Sequence, residues 1–554
     1  MVIIIILILS ALISYPLGYY LNQLLSYGNV EGENPKSKFL LKRIFGDQII
    51  ESQSWQKYAK SLLIFNLFMF ALVTIILSLQ HILPFNPDGK EALEWSLVFN
   101  TAVSFTTNTN LQHYSGEVSL SYFSQIFGLM WLQFLSAATG ISALAAISRG
   151  LTGQKSIGNF YQDLIKTTFC FLLPIAILFA IILAGFGVVM TYEGSANVVT
   201  LEGLPQKIAR GPVAAFVAIK QLGTNGGGFF GTNSAHPFEN PNVYSNIIES
   251  IAILLIPMAC VWFYGFITKR MKHATIIFFV MLLLLVTKIG FSTYFESEPN
   301  SSFATIGVEQ TSNLEGKELR FGIGTSALWS VLTTSTSNGS VNSMHDSLNP
   351  LAGLIPMIAM WFNVTFGGVG VGFINMILYI IIGIFISGMM VGRTPEYFGK
   401  KIEAEEMKWA LLAILLHPFL ILGGTALFCA FPWGKESLNN PGFHGFSEIL
   451  YEFSSAAANN GSGFEGLADN TVPWNLSTGF VMLIGRYLPI LFPLVIAGKM
   501  QFKKVAMENS GTLKVDTILF GFILLGSIVF IGALLFMPVA VLGPVAEHLS
   551  IQSK

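Results

Sequence analysis

"QLGTNGGGFF", residues Gln221 to Phe230, interrupts a chain otherwise suited to lipid, setting three consecutive glycines and a Thr-Asn pair between apolar stretches. At membrane depth such backbone is tolerated only where protein buries it or where it lines an aqueous path. Three other places look the same: "SLVFNTAVSFTTNTNLQ", "ALWSVLTTSTSNGSVN" and "GFSEILYEFSSAAANNGSGF". Aligned on a shared asparagine, their ends read Thr107-Asn108-Thr109-Asn110, Thr224-Asn225-Gly226-Gly227, Ser337-Asn338-Gly339-Ser340 and Asn459-Asn460-Gly461-Ser462. One Asn-Gly pair is ordinarily a turn. Four copies at near-regular intervals, each before an apolar stretch, are a repeated structural unit.

The composition fits that reading. The 554 residues are 53% hydrophobic and 11% charged, against about a quarter charged for soluble domains. The chain is therefore expected to be a polytopic membrane protein. A net charge of -1 excludes a basic face for nucleic acid. Cys170, Cys260 and Cys429 sit in apolar runs without metal-ligand spacing and read as core residues.

Apolar runs long enough to span fall near 2–25, 61–82, 124–147, 168–191, 247–267, 274–291, 351–391, 409–431, 476–497 and 518–542, which makes about ten spans. Alternate loops hold 20 of the 30 basic residues. They begin with Lys36, Lys38, Lys42, Arg43, Lys57 and Lys60, include Arg149, Lys155, Lys166 and Arg393, and end with Lys499, Lys503, Lys504 and Lys514. The positive-inside bias makes those loops cytoplasmic and both termini extracytoplasmic. The 351–391 run is about twice a span, and "FGGVGVGF" divides it at Gly367, Gly368, Gly370 and Gly372. One span holding a non-helical break preserves the charge alternation.

The expected fold is all-α, with four pseudo-repeats of helix, pore loop and helix around a central filter. Residues 1–60 form the first span and a basic loop. The four units are 61–150, 167–270, 274–393 (with the glycine loop) and 409–500, and 515–554 is the last span. Four such segments around one axis would present rings of carbonyl oxygens able to replace a cation's hydration shell. Glycine permits the positive φ this requires, and the short helices direct their negative ends at the cation. Few carboxylates accompany the segments, which favours a monovalent ion over a divalent one. Thr109 stands where the other units have glycine, so the ring is expected to be unequal.

Arg486 lies near the middle of "FVMLIGRYLPILFPLVIAG". A charge there costs at least about 2.5 kcal/mol and marks function by default. Below a cation filter it would obstruct straight-through flow. Lys288 is expected to snorkel to the outer surface, and no role is given to it. Glu309, Glu315 and Glu318 read as a solvated outer loop. No G-x-x-x-x-G-K-[ST] string occurs, so the chain is expected to bind no nucleotide. An intramembrane hydrolase is disfavoured because no serine or aspartate motif has a partner on a facing span.

"QLGTNGGGFF", "GRTPEYFGKKIE", "HGFSEILYEFSSAAANNGS" and "LGPVAEHLS" together resemble the potassium-binding A subunit of the Kdp-type potassium-transporting ATPase of bacteria and archaea. More distantly, the architecture looks like the Trk, Ktr and HKT potassium transporters. The resemblance implies a plasma-membrane complex in which a P-type ATPase B subunit hydrolyses ATP, assisted by a C subunit and a small F subunit. K⁺ would be the transported ion, with Gly226, Gly339 and Gly461 at the family's filter glycines, Thr109 at the equivalent place and Gln112 following. "FGGVGVGF" would be the intramembrane loop and Arg486 the charge below the filter, together diverting K⁺ sideways to the pump subunit. Asn338 stands where some relatives carry cysteine, and Val371 where a small polar residue can occur. The alternative is a self-sufficient Trk/Ktr-like channel or symporter.

Overall fold

The computed structural model describes residues 2–26, 51–154, 156–300, 303, 307, 311–392, 394–505 and 513–552. Lys36, Lys38, Lys42, Arg43, Lys155, Arg393 and Glu309 lie outside the described residues. Among the described residues the chain is mostly helical, with two small antiparallel hairpins, Ala196–Val199 with Pro205–Ile208 and Glu396–Tyr397 with Lys400–Lys401.

Among the described residues, ten helices are long and apolar enough to cross a membrane: Val2–Leu25, Trp55–Ser78, Ser124–Thr152, Phe160–Gly185, Val243–Thr268, Met271–Ser297, Val371–Met390, Ala404–Ala430, Val472–Met500 and Ile518–Gln552. Several begin before the apolar run does, because a polar side chain starts the helix. The Ser54 hydroxyl accepts from the Lys57 N–H at 3.3 Å, and the Asn159 side-chain carbonyl accepts from the Tyr161 N–H at 3.1 Å. Such caps satisfy amide groups that the first turn leaves unpaired. Hydropathy alone does not register them.

The long run from 351 breaks where glycine accumulates. Pro350–Phe362 is a helix of 13 residues, ~20 Å at 1.5 Å per residue and too short for a hydrocarbon core of ~30 Å. Asn363 ends it with φ 45°, a non-helical stretch follows, and Val371–Val391 resumes.

Four shorter helices, Trp95–Thr106, Val213–Leu222, Gly322–Ser335 and Gly442–Ala458, each precede an extended segment and then a further apolar helix. Almost every side chain in them is buried beyond its first turn. The first span packs outside this assembly along the fifth, where Gly18 lets its backbone meet Ala259 and Trp262, and the Trp262 indole donates to Ser14 Oγ at 3.1 Å. The last span continues to a terminal turn whose Glu547 carboxylate takes His444 Nδ1 at 2.7 Å, while His444 Nε2 meets Asp346 Oδ1 at 2.9 Å. With an acceptor at each nitrogen, His444 is an imidazolium. It ties "HGFSEILYEF" and "LGPVAEHLS" to the loop after the third segment, which gives both strings a structural purpose.

Candidate functional site

The four short helices end at Thr106, Leu222, Ser335 and Ala458, and the chain then turns the same way each time. The N–H groups of Thr109, Asn225, Asn338 and Asn460 donate to the carbonyls five residues back, those of Ser104, Lys220, Thr333 and Ser455, at 2.8 to 2.9 Å. Left-handed backbone recurs in pairs: Asn108 and Asn110, Thr224 and Gly226, Ser337 and Gly339, Asn459 and Gly461.

This geometry corrects the register of the first unit by one residue. Thr109 matches the repeated asparagine, and Asn110 stands in the glycine position with φ 56°. The sequence Thr-Asn-Thr-Asn has a two-residue period of its own, so aligning letters leaves the register open, whereas backbone handedness does not. Asparagine is among the side chains that tolerate this conformation, and Gln133 Nε2 holds Asn110 Oδ1 at 3.0 Å.

The segments close into a ring. A Cβ built on Gly226 would strike the Asn338 carbonyl, one on Gly339 the Asn460 carbonyl, and one on Gly461 the Thr109 carbonyl. Asn108 Nδ2 closes the circuit by donating to the Thr224 carbonyl at 2.9 Å. The asparagine side chains brace the ring: Asn225 Nδ2 donates to Asn108 Oδ1 at 2.7 Å, Asn460 Nδ2 to Thr333 O at 2.9 Å and Asn459 Nδ2 to Thr109 Oγ1 at 2.9 Å. Ser340 and Ser462 turn back to Gln221 and Tyr451, and Thr107 Oγ1 pairs with Thr109 Oγ1. Gly227 packs on Asn110. Gln112 exchanges two bonds with Gly228, at 2.8 and 3.1 Å, and so clamps the first two segments together.

The equivalent carbonyls of Thr109, Asn225, Asn338 and Asn460 accept no hydrogen bond among the described residues, although all four residues are buried. Buried carbonyls ordinarily find a partner. Four of them at matching positions around one ring make a site suited to a desolvated cation.

Below the ring lies the glycine break. Val369 N donates to Thr224 Oγ1 at 2.9 Å, Ser337 Oγ to Asn363 Oδ1 at 2.8 Å, and Asn363 Nδ2 to the Ala458 carbonyl at 3.2 Å. Gly367 packs on Gly372, Gly368 faces Ser337, and Gly370 (φ 79°) meets the Gly140 carbonyl. Arg486 approaches Gly140 too, with Nη2 donating to Ser136 O at 3.0 Å. A cavity of about 50 Å³ lies between them, lined by Ser337, Asn459, Gly368, Val371 and Arg486 and also by Tyr379, His417 and Phe536. One water needs roughly 10–15 Å³ by the same measure, so the cavity has room for several.

One sequence-based expectation changes here. Lys288 does not reach the surface: it is buried, and its ammonium donates to Ser335 Oγ at 2.7 Å, at the end of the third short helix. The partner is polar and near, and the negative end of that helix favours a cation, so snorkelling has nothing to add. In the loop before the third short helix, Glu318 is paired with Arg320, while Glu315 stays exposed.

Sequence reasoning also misses a buried cation beside the second segment. Lys220 binds the Glu239 carboxylate, Asn233 Oδ1 at 2.6 Å and Ser234 Oγ at 2.8 Å, and Asn233 Nδ2 in turn donates to the Gly226 carbonyl at 2.6 Å. A lysine inside "AAFVAIKQL" carries the same signal that singles out Arg486.

Outside the spans, His113 joins the first unit to the fourth. Its Nε2 faces Glu452 Oε1 at 3.2 Å and Asp469 Oδ2 at 3.7 Å, and its Nδ1 meets Asn475 Oδ1 at 2.7 Å. Asn475 Nδ2 donates to Ser96 and Asn470, which fixes the amide's orientation. Burial opposes the imidazolium, but the carboxylates of Asp469 and Glu452 outweigh it and raise its pKa from 6.5 to about 9. A raised pKa stabilises the fold fully below the unfolded value and progressively less as pH rises through the folded one. The melting midpoint of the purified protein should therefore fall as pH rises from about 7 to about 9.5, and His113→Gln should flatten that slope; equal slopes would contradict the assignment.

The family described as "Potassium-transporting ATPase A subunit" matches residues 4–549. The chain is 46% identical to the potassium-transporting ATPase potassium-binding subunit of Geobacillus kaustophilus and 47% identical to that of Parabacteroides distasonis, in each case over 98% of both chains. The crystal structure of the potassium transporter TrkH from Vibrio parahaemolyticus shares the fold, with a TM-score of 0.54 at 15% identity over 89% of this chain and 97% of that one. Match and identity both run the length of the chain, and it belongs to the potassium-transporting ATPase A subunit family.

Proposed function

We propose that this chain is the ion-selecting subunit of an ATP-driven K⁺ uptake complex, with the four-segment ring as its filter. The observation that carries the reading is the set of four equivalent buried carbonyls that accept no hydrogen bond among the described residues. Potassium entering from outside exchanges its hydration shell for these oxygens, with the negative ends of four short helices adding to the attraction. Thr107 to Asn110, Thr224 to Gly227, Ser337 to Ser340 and Asn459 to Ser462 form or brace this site, with Gln112 at its outer rim. Beneath it, Arg486 and the break at Gly367, Gly368 and Gly370 close the straight path, so the ion turns along the cavity toward Tyr379 and His417. A P-type ATPase subunit receives it there, with C and F subunits completing the complex. In this arrangement both termini are extracytoplasmic and the chain lies in the cell membrane.

Purification from membranes tests the assembly: a P-type ATPase polypeptide should arrive with this chain, and the isolated chain in liposomes should pass little Rb⁺. Rapid Rb⁺ flux through the isolated chain would instead establish an autonomous channel. Arg486→Gln tests the gate. A unit charge at ~8 Å and an effective dielectric of ~20 contributes about 2 kcal/mol, so Rb⁺ leak through the complex without ATP should rise at least about tenfold. Leak and coupling equal to wild type would remove that role.

A further inference from the structure

Away from the ion path, helices Trp55–Ser78, Ser124–Thr152 and Phe160–Gly185 enclose a groove of about 940 Å³. Residues 57, 60, 64, 68 and 72 of the first helix line it, following one helical face. Its chemistry is graded along that face. At the basic end, Lys57 and Lys60 are exposed and form no ion pair among the described residues. Deeper in, the walls are apolar, with Phe68, Leu72, Trp131 and Phe169.

Among the polar side chains of the lining, one carries an unpaired atom. Thr168 lines the groove at 1% exposure, and its hydroxyl has no hydrogen-bond partner among the described residues. It lies in the π-turn Lys166–Leu172, a local widening of the helix that recurs at binding sites. Thr168 is ~12 Å into its helix and Lys60 ~8 Å into its own, at 1.5 Å per residue. The unpaired hydroxyl and the two lysines line the same groove.

Length identifies the occupant. From Lys60 to Leu72 the lined face measures ~18 Å, close to one leaflet of a hydrocarbon core ~30 Å thick. A membrane-crossing helix of another subunit would need a groove of the full thickness. We infer that the groove holds an acyl chain of an anionic phospholipid, with the phosphate between Lys57 and Lys60 and a glycerol-ester oxygen accepting from Thr168. A basic cluster at a helix end attracts anionic lipid in proportion to its lysines, and the apolar walls hold the tail.

The assembled transporter, purified in mild detergent, would be offered phosphatidylglycerol or phosphatidylcholine and examined by native mass spectrometry. Wild type should retain phosphatidylglycerol at least about fivefold more than phosphatidylcholine, as expected of two lysines near the membrane surface. Lys57→Gln with Lys60→Gln should erase that preference, and Thr168→Val should weaken retention with no change in melting midpoint. Equal retention of the two lipids, or variants indistinguishable from wild type, would overturn the inference. So would a photo-crosslinker placed at Phe68 that captures a polypeptide in the complex rather than lipid.

Discussion

Gly226→Ala should lower the apparent K⁺ affinity of the assembled transporter at least about 100-fold while leaving insertion and assembly intact. Gly226 holds φ 78°, and the new methyl group would overlap the carbonyl of Asn338 and crowd the N–H of Ser340. The left-handed conformation alone costs an L-residue about 1–2 kcal/mol. The larger effect is displacement, because the obstructing atom belongs to one of the four ring carbonyls and is part of a fixed backbone. Gly339→Ala should act in the same way through the Asn460 carbonyl. Gly290→Ala is the control: that glycine is exposed, and a methyl group there would meet nothing within 4 Å, so the change should stay within about 0.5 kcal/mol. The K⁺ dependence of ATP hydrolysis by the complex reads all three, and an unaltered midpoint in Gly226→Ala would contradict the filter assignment.

The second large effect is expected at Lys220. Lys220→Met removes the cation from a buried pair and leaves the Glu239 carboxylate fully enclosed. Breaking one side of such a pair costs about 3–5 kcal/mol, whereas exchanging both sides for apolar groups is often nearly neutral. The single variant should therefore lose several degrees of thermal midpoint, and Lys220→Met with Glu239→Leu should recover most of it. The single variant should weaken K⁺ binding as well, since Asn233 joins this pair to the Gly226 carbonyl. Identical melting of the single and double variants would show that the pair does not hold the second segment in place.

Arg149 shows how loop charge bias describes a residue incompletely. By residue order it belongs to a cytoplasmic loop, yet the side chain is fully buried and bound to both oxygens of Asp163, at 2.8 and 3.0 Å. Lys400, in another of the basic loops, is also buried, with its ammonium on the Met500 carbonyl at 2.7 Å. Charge bias reports where a segment ends, but it does not distinguish a solvated cation from one that fastens two helices together.

Hydrocarbon punishes exposed backbone heavily, so the spans, the four interrupted segments and the break after Phe362 are all legible in residue order alone. The one-residue register of Thr109 and Asn110, the inward turn of Lys288 and the partners of Lys220 and His113 emerge only in the folded chain. Those depend on backbone handedness and on groups from 13 to 362 positions away along the chain, and no local pattern of letters encodes which distant dipole will satisfy a buried charge.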